Sequence, residues 1–106
     1  MTILEDQREF IWRAIKHWMG KNNLGSDYFS LLTAGRTKEP YPPDRIARGI
    51  TDGSERISSE LVHACVEIFG LVSARVRGSK DTLTDEECVE LLTAPLRTTQ
   101  QGKLWD

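Results

Sequence analysis

No stretch of this chain approaches the roughly 18 consecutive apolar residues of a membrane-spanning helix, so a membrane protein is not expected. Cysteine is scarce: Cys65 and Cys88 are the only two, too few for a disulfide-stapled scaffold. Each falls within an apolar helical pattern, where an unpaired buried thiol is the expected state. Histidine also occurs only twice, as His17 and His63. The patterns CxxC, HExxH, GxxxxGK[ST] and GxSxG are all missing, which removes the common spacings for zinc, phosphate and nucleophilic chemistry. Catalysis, a cofactor, a metal site and a small-molecule substrate are therefore not expected. The opening "MTILEDQREF" is acidic and lacks the charged-then-apolar layout of a secretory leader, so a cytoplasmic location is expected.

Strong net charge is lacking as well. The balance is −2, which gives no general attraction for a polyanion. The acid is unevenly placed, however. Residues 1–80 carry twelve Lys/Arg against ten Asp/Glu, and residues 81–106 carry two against six. The first three quarters can thus still offer a basic face. A length of 106 residues fits one domain, and 39% hydrophobic with 28% charged residues is a globular composition.

Helical periodicity runs through the chain, and no convincing strand pattern interrupts it. In "EDQREFIWRAIKHWMGK" (5–21), Ile11, Ile15 and Trp18 recur at i, i+4 and i+7. Trp12 falls on the more polar side of this helix, as a core-edge residue or an anchor for another subunit. Ser26 offers an N-cap for "SDYFSLLTAG", with Gly35 at its C′ position. The prolines of "RTKEPYPP" forbid helix and predict a stiff turn. A short helix follows, "PDRIARGI", with Pro43 in its first turn and Gly49 expected to end it in a left-handed conformation. Ile46 and Ile50 face inward together, while Arg45 and Arg48 share another, outward face. Ser58 or Ser59 caps the next helix, which runs to Phe69 and places Glu60, His63 and Glu67 on its wet side. After the basic loop "RVRGSKDT", Thr82 or Thr84 caps "LTDEECVELLTA", and Pro95 is expected to end it. The expected fold is all-α, a compact bundle of about five short helices over residues 1–95, followed by a mobile tail over 96–106. Leu104 and Trp105 could dock that tail, and a dimer contact would explain Trp105.

The order "PDRIARGI", polar loop, "ISSELVHACVEIFGL" resembles the second half of the lambda-repressor-like (Xre-type) helix-turn-helix family, best over residues 43–72. Ile46, Arg48 and Gly49 match the end of that family's recognition helix. Ile57, Ser59, Leu61 and the run to Phe69, Gly70 and Leu71 match its serine-capped following helix. The family's turn has three or four residues, whereas "AGRTKEPYPP" is longer and stiffened by proline. The resemblance implies a DNA-binding transcriptional regulator with double-stranded DNA as partner. Tyr41, Asp44, Arg45 and Arg48 lie at or near the end of the helix that would enter the major groove. Arg36, Lys38 and Arg56 flank it and would bind phosphate. Four basic against two acidic residues between Gly35 and Ile50 make a thin footprint, which a homodimer would double. The rival expectation is a helical protein-interaction module, an adaptor or inhibitor using the acidic helix 84–94 and the aromatics. In that case Arg45 and Arg48 are surface arginines paired with Asp44, Asp52 or Glu55, and Arg75, Arg77 and Lys80 are a solvated loop. Charges of both signs interspersed around Arg36, Lys38, Arg45 and Arg48 would favour the rival, and a continuous positive face would favour DNA.

Overall fold

The computed structural model describes residues 3–71 and 83–105, with side chains up to Arg97. Six helices and no strand form among these residues: α1 Ile3–Asp6, α2 Arg8–Lys21, α3 Ser26–Ala34, α4 Pro43–Asp52, α5 Ser59–Ile68 and α6 Asp85–Trp105. The all-α expectation holds. The first expected helix is divided, with Gln7 (φ −111°, ψ 19°) outside helical geometry between α1 and α2. The basic loop with Arg75, Arg77 and Lys80, the candidate cap Thr82, and the side chains of Leu104 and Trp105 lie outside the described residues.

The core is one cluster to which every helix contributes through α6. Ile11, Ile15, Phe29, Ile46, Leu61 and Leu92 have no exposed surface, and each such side chain gains about 1.5–3 kcal/mol over its exposed state. Helix α2 is the wall between two groups, packing against α4 on one side and α6 on the other. Its two tryptophans fix those contacts. The indole N–H of Trp12 donates to the Glu55 carbonyl at 2.8 Å, and that of Trp18 to the Leu92 carbonyl at 2.9 Å. Trp18 also stacks on Phe69, which stacks in turn on Phe29. Trp12 is thus a core residue, not an edge residue or an exposed anchor.

Several helix ends follow local chemistry. Ser58 caps α5, its side chain accepting from Leu61 N–H at 3.1 Å. Thr84 and Glu87 form a reciprocal capping box at α6, each side chain accepting the other's backbone N–H. Other ends depart from expectation. Gly25, not Ser26, holds the N-cap of α3, and Gly35 closes it in a right-handed conformation (φ −88°). Gly49 does not end α4. The helix runs on to Asp52, and Gly53 (φ +70°) makes the left-handed stop, its N–H donating to the Gly49 carbonyl at 2.8 Å. Pro95 does not end α6 either, since the helix continues to Trp105. Proline removes one intrahelical hydrogen bond, and the packing of Leu96 on the core works in the opposite direction. The expected tail therefore continues the helix through 105.

Candidate nucleic-acid interface

Helix α4 is held from behind and open in front. Ile46 is buried, and Gly49 presses on the ring of Trp12 so closely that a Cβ there would lie 2.5 Å from Trp12 Cε2. That approach sets α4 against α2. On the opposite side, Asp44, Ala47, Arg48 and Thr51 are all exposed. Their i, i+3, i+4, i+7 spacing makes them one face. Asp44 and Arg48 belong to the sequence-derived set. Ala47 and Thr51 were missed, although the same spacing counted from Asp44 reaches both.

Tyr41 and Arg45 turn inward, contrary to the expectation that Arg45 faces away from the core. Tyr41 is buried; its hydroxyl donates to the Arg56 carbonyl at 3.0 Å and accepts from Ser58 N–H at 2.9 Å. The Arg45 guanidinium lies 4.3 Å above the Tyr41 ring and donates to the Pro40 carbonyl. The long turn is what covers them. Ser30 Oγ donates to the Tyr41 carbonyl at 2.6 Å, and Thr37 Oγ1 to the Glu39 carbonyl at 2.9 Å. The first ties the proline-rich segment to α3, and the second tightens the turn within it.

Around Arg45 the charges form a chain. Arg45 Nη2 pairs with Glu39 Oε2, and Arg45 Nε with Glu55 Oε1 at 3.0 Å. The second oxygen of each carboxylate faces an outer arginine: Glu55 Oε2 lies 3.4 Å from Arg48 Nε, and Glu39 Oε1 lies 3.7 Å from Arg56 Nη1. The order is Arg56, Glu39, Arg45, Glu55, Arg48. The outer side chains of Arg48 and Arg56 are 62% and 76% exposed, whereas Glu55 and Glu39 are 22% and 26% and Arg45 is 17%. Carboxylates are recessed and outer guanidiniums project. Burial opposes the charge on Arg45, but its hydrogen bonds to Glu39 and Glu55 prevail and raise its pKa above the ordinary arginine value.

Arg36 and Lys38 belong to a second group, toward α5. Arg36 donates to the Leu32 carbonyl at 2.7 Å and pairs with exposed Glu67 at 3.4 Å. The Lys38 backbone N–H donates to Glu60 Oε1 at 3.0 Å, with its side chain exposed. Seen together, Arg36, Lys38, Arg48 and Arg56 share this surface with Glu39, Glu55, Glu60 and Glu67. It is a surface of both signs, not a continuous positive face. Glu39 was missed as a site residue; its only sequence signal is a carboxylate inside the stiff turn that precedes α4.

A separate polar cluster ties α5 to α6. His63 is half-buried here, not on a wet face. Its Nε2 lies 3.1 Å from Asp85 Oδ1, which also accepts from Ser59 Oγ at 2.6 Å, and its Nδ1 lies 3.6 Å from Cys88 Sγ. Thiol, imidazole and carboxylate follow the order of a nucleophilic site. Cys88 has no exposed surface, however, and burial, then Asp85 and Glu87, push its thiol pKa up to about 11. A protonated, sealed thiol is a poor nucleophile, and the cluster acts as a tie between helices. Cys65 is likewise free and buried, with its pKa raised by burial. Among the described residues no group of three or more His, Cys, Asp or Glu could hold a metal ion, and no helix is long and apolar enough to cross a membrane. Set against known proteins, the chain matches no family model, no curated protein and no solved structure.

Proposed function

We propose that this protein is a helix-turn-helix DNA-binding regulator that acts without catalysis and presents α4 to the major groove. The observation that carries the proposal is the α4 face itself. Asp44, Ala47, Arg48 and Thr51 are exposed together on a short helix braced by Trp12, and Arg48 and Arg56 project beyond recessed carboxylates. Such a face suits groove entry. An arginine can read guanine O6 and N7, and small side chains such as Ala and Thr admit close approach to a thymine methyl. Tyr41 and Arg45 are supporting residues in this scheme; Lys38, Arg48 and Arg56 make the contacts, with Arg36 beside them. Three or four phosphate contacts per chain give a salt slope of about −2.7 to −3.6, and a homodimer doubles it.

The test is a fluorescence-anisotropy titration of the full chain with random duplex DNA at several salt concentrations. The log affinity is expected to fall linearly and steeply with log salt. Absence of binding at low salt, or a flat line, removes the proposal. A second reading has its own observations: Tyr28 and Leu31 are largely exposed one turn apart on α3, and charges of both signs are interspersed around Arg36, Arg45 and Arg48 themselves. These favour a protein-interaction module, which becomes the better account if DNA is not bound.

A further inference from the structure

We propose that Glu39 and Glu55 are built-in phosphate mimics that suppress binding to random DNA and so set the specificity of the α4 face. The proposal rests on the DNA-binding reading and deepens it. Each carboxylate divides its two oxygens between an inner and an outer arginine. Arg45 takes Glu39 Oε2 and Glu55 Oε1; Arg56 and Arg48 face Glu39 Oε1 and Glu55 Oε2. The inner pairs are tight and mostly covered. The outer pairs, at 3.7 and 3.4 Å, are looser and exposed, and pairs of that kind are easily exchanged. A phosphodiester and a carboxylate offer arginine the same thing, a negative charge with two acceptor oxygens.

The consequence differs for the two kinds of DNA contact. A backbone phosphate that takes Arg48 or Arg56 replaces one anion by another. The displaced carboxylate stays where Arg45 holds it, close to the incoming phosphate, and the two repel. A guanine edge brings no net charge, so Arg48 can turn from Glu55 to O6 and N7 without that repulsion. Both carboxylates therefore weaken phosphate contacts more than base contacts. Arg45 is the positioning residue, since it fixes the carboxylates beneath the outer arginines.

The experiment compares wild type with Glu39→Gln, Glu55→Gln and the double variant on random duplex DNA and on a site selected from a random library. Glutamine keeps an acceptor for Arg45, and circular dichroism checks that each variant folds. Glu90→Gln on α6 is the control for net charge, because Glu90 is exposed on a different helix. Each of the two site variants should bind random DNA about 1.5- to fivefold tighter than wild type, the scale of one screened charge pair. The ratio of selected-site to random affinity should fall by a similar factor, and Glu90→Gln should change little. If wild type binds DNA but the site variants bind random DNA no tighter, or no tighter than Glu90→Gln, the mimic role is overturned and DNA binding stands. If neither wild type nor the variants bind DNA, the DNA reading falls and this proposal falls with it.

Discussion

Replacing Gly49 by alanine adds one methyl group at the most constrained point of the fold. The new Cβ would sit 2.5–2.7 Å from Trp12 Cε2, Cζ2 and Cδ2, well inside van der Waals contact. Trp12 cannot simply swing away. It is 1% exposed, and its indole N–H is committed to the Glu55 carbonyl. Overpacking of this kind costs about 1–3 kcal/mol, and loss of the indole hydrogen bond adds about 1 kcal/mol. Against this, alanine in a helix interior is favoured over glycine by about 1 kcal/mol. The net expectation is a loss of about 1–3 kcal/mol, and each kcal/mol lowers Tm by roughly 4–8 °C in a domain of this size. Urea unfolding and a thermal melt measure it. Gly20→Ala is the paired control: Gly20 lies inside α2 with nothing within 4 Å of an added Cβ, so it should gain up to about 1 kcal/mol. A Gly49→Ala protein at least as stable as wild type would refute the claim that glycine is there to admit the tryptophan ring.

Arg45→Ala should destabilise the fold by about 1–3 kcal/mol, because it leaves two largely covered carboxylates without their shared partner; Arg48→Ala, more than half exposed, should stay within about 0.5 kcal/mol in the same melts. Thr84→Ala removes one half of the α6 capping box and should cost about 1 kcal/mol; an unchanged denaturant midpoint would count against the cap. Both thiols should label slowly in the native state. The folded Cys88 pKa is raised from 9.0 to about 11, so the stabilising effect is full below pH 9 and is lost as pH rises toward 11. A flat stability profile across that alkaline range, or a Cys88→Ser variant with the same loss, would contradict the assignment.

The helices were legible because apolar spacing is a local signal, and so were their caps to within a pair of candidates, of which Ser58 caps α5 and Thr84 caps α6. What escaped the sequence was set by neighbours. Gly49 closes a short apolar pattern and looks like a helix stop; its actual constraint is an indole ring thirty-seven residues earlier in the chain. Counting faces put Arg45 outside, but the proline-rich turn folds Glu39 and Tyr41 over it. His63 lies opposite the Leu61–Cys65 row, yet α6 approaches from that side and covers half of it. Pro95 carries a strong local stop signal, and burial of Leu96 immediately after it favours the opposite outcome. For the candidate site, the sequence located α4 and Arg48; it did not distinguish supporting cations from presented ones, because that depends on which carboxylate each one meets.

The two indoles of α2 also make the molecule self-reporting. Trp12 looks toward α4 through Glu55, and Trp18 toward α6 through Leu92. One is sealed and the other only partly buried, so their emission maxima and quencher accessibility differ. With Trp105 also replaced, phenylalanine at one of the two positions leaves the other as the single optical probe of its own half. If the two signals are lost together during unfolding, α2 transmits order across the whole chain; if Trp18 shifts first, the α5–α6 pair is a separable unit of cooperativity.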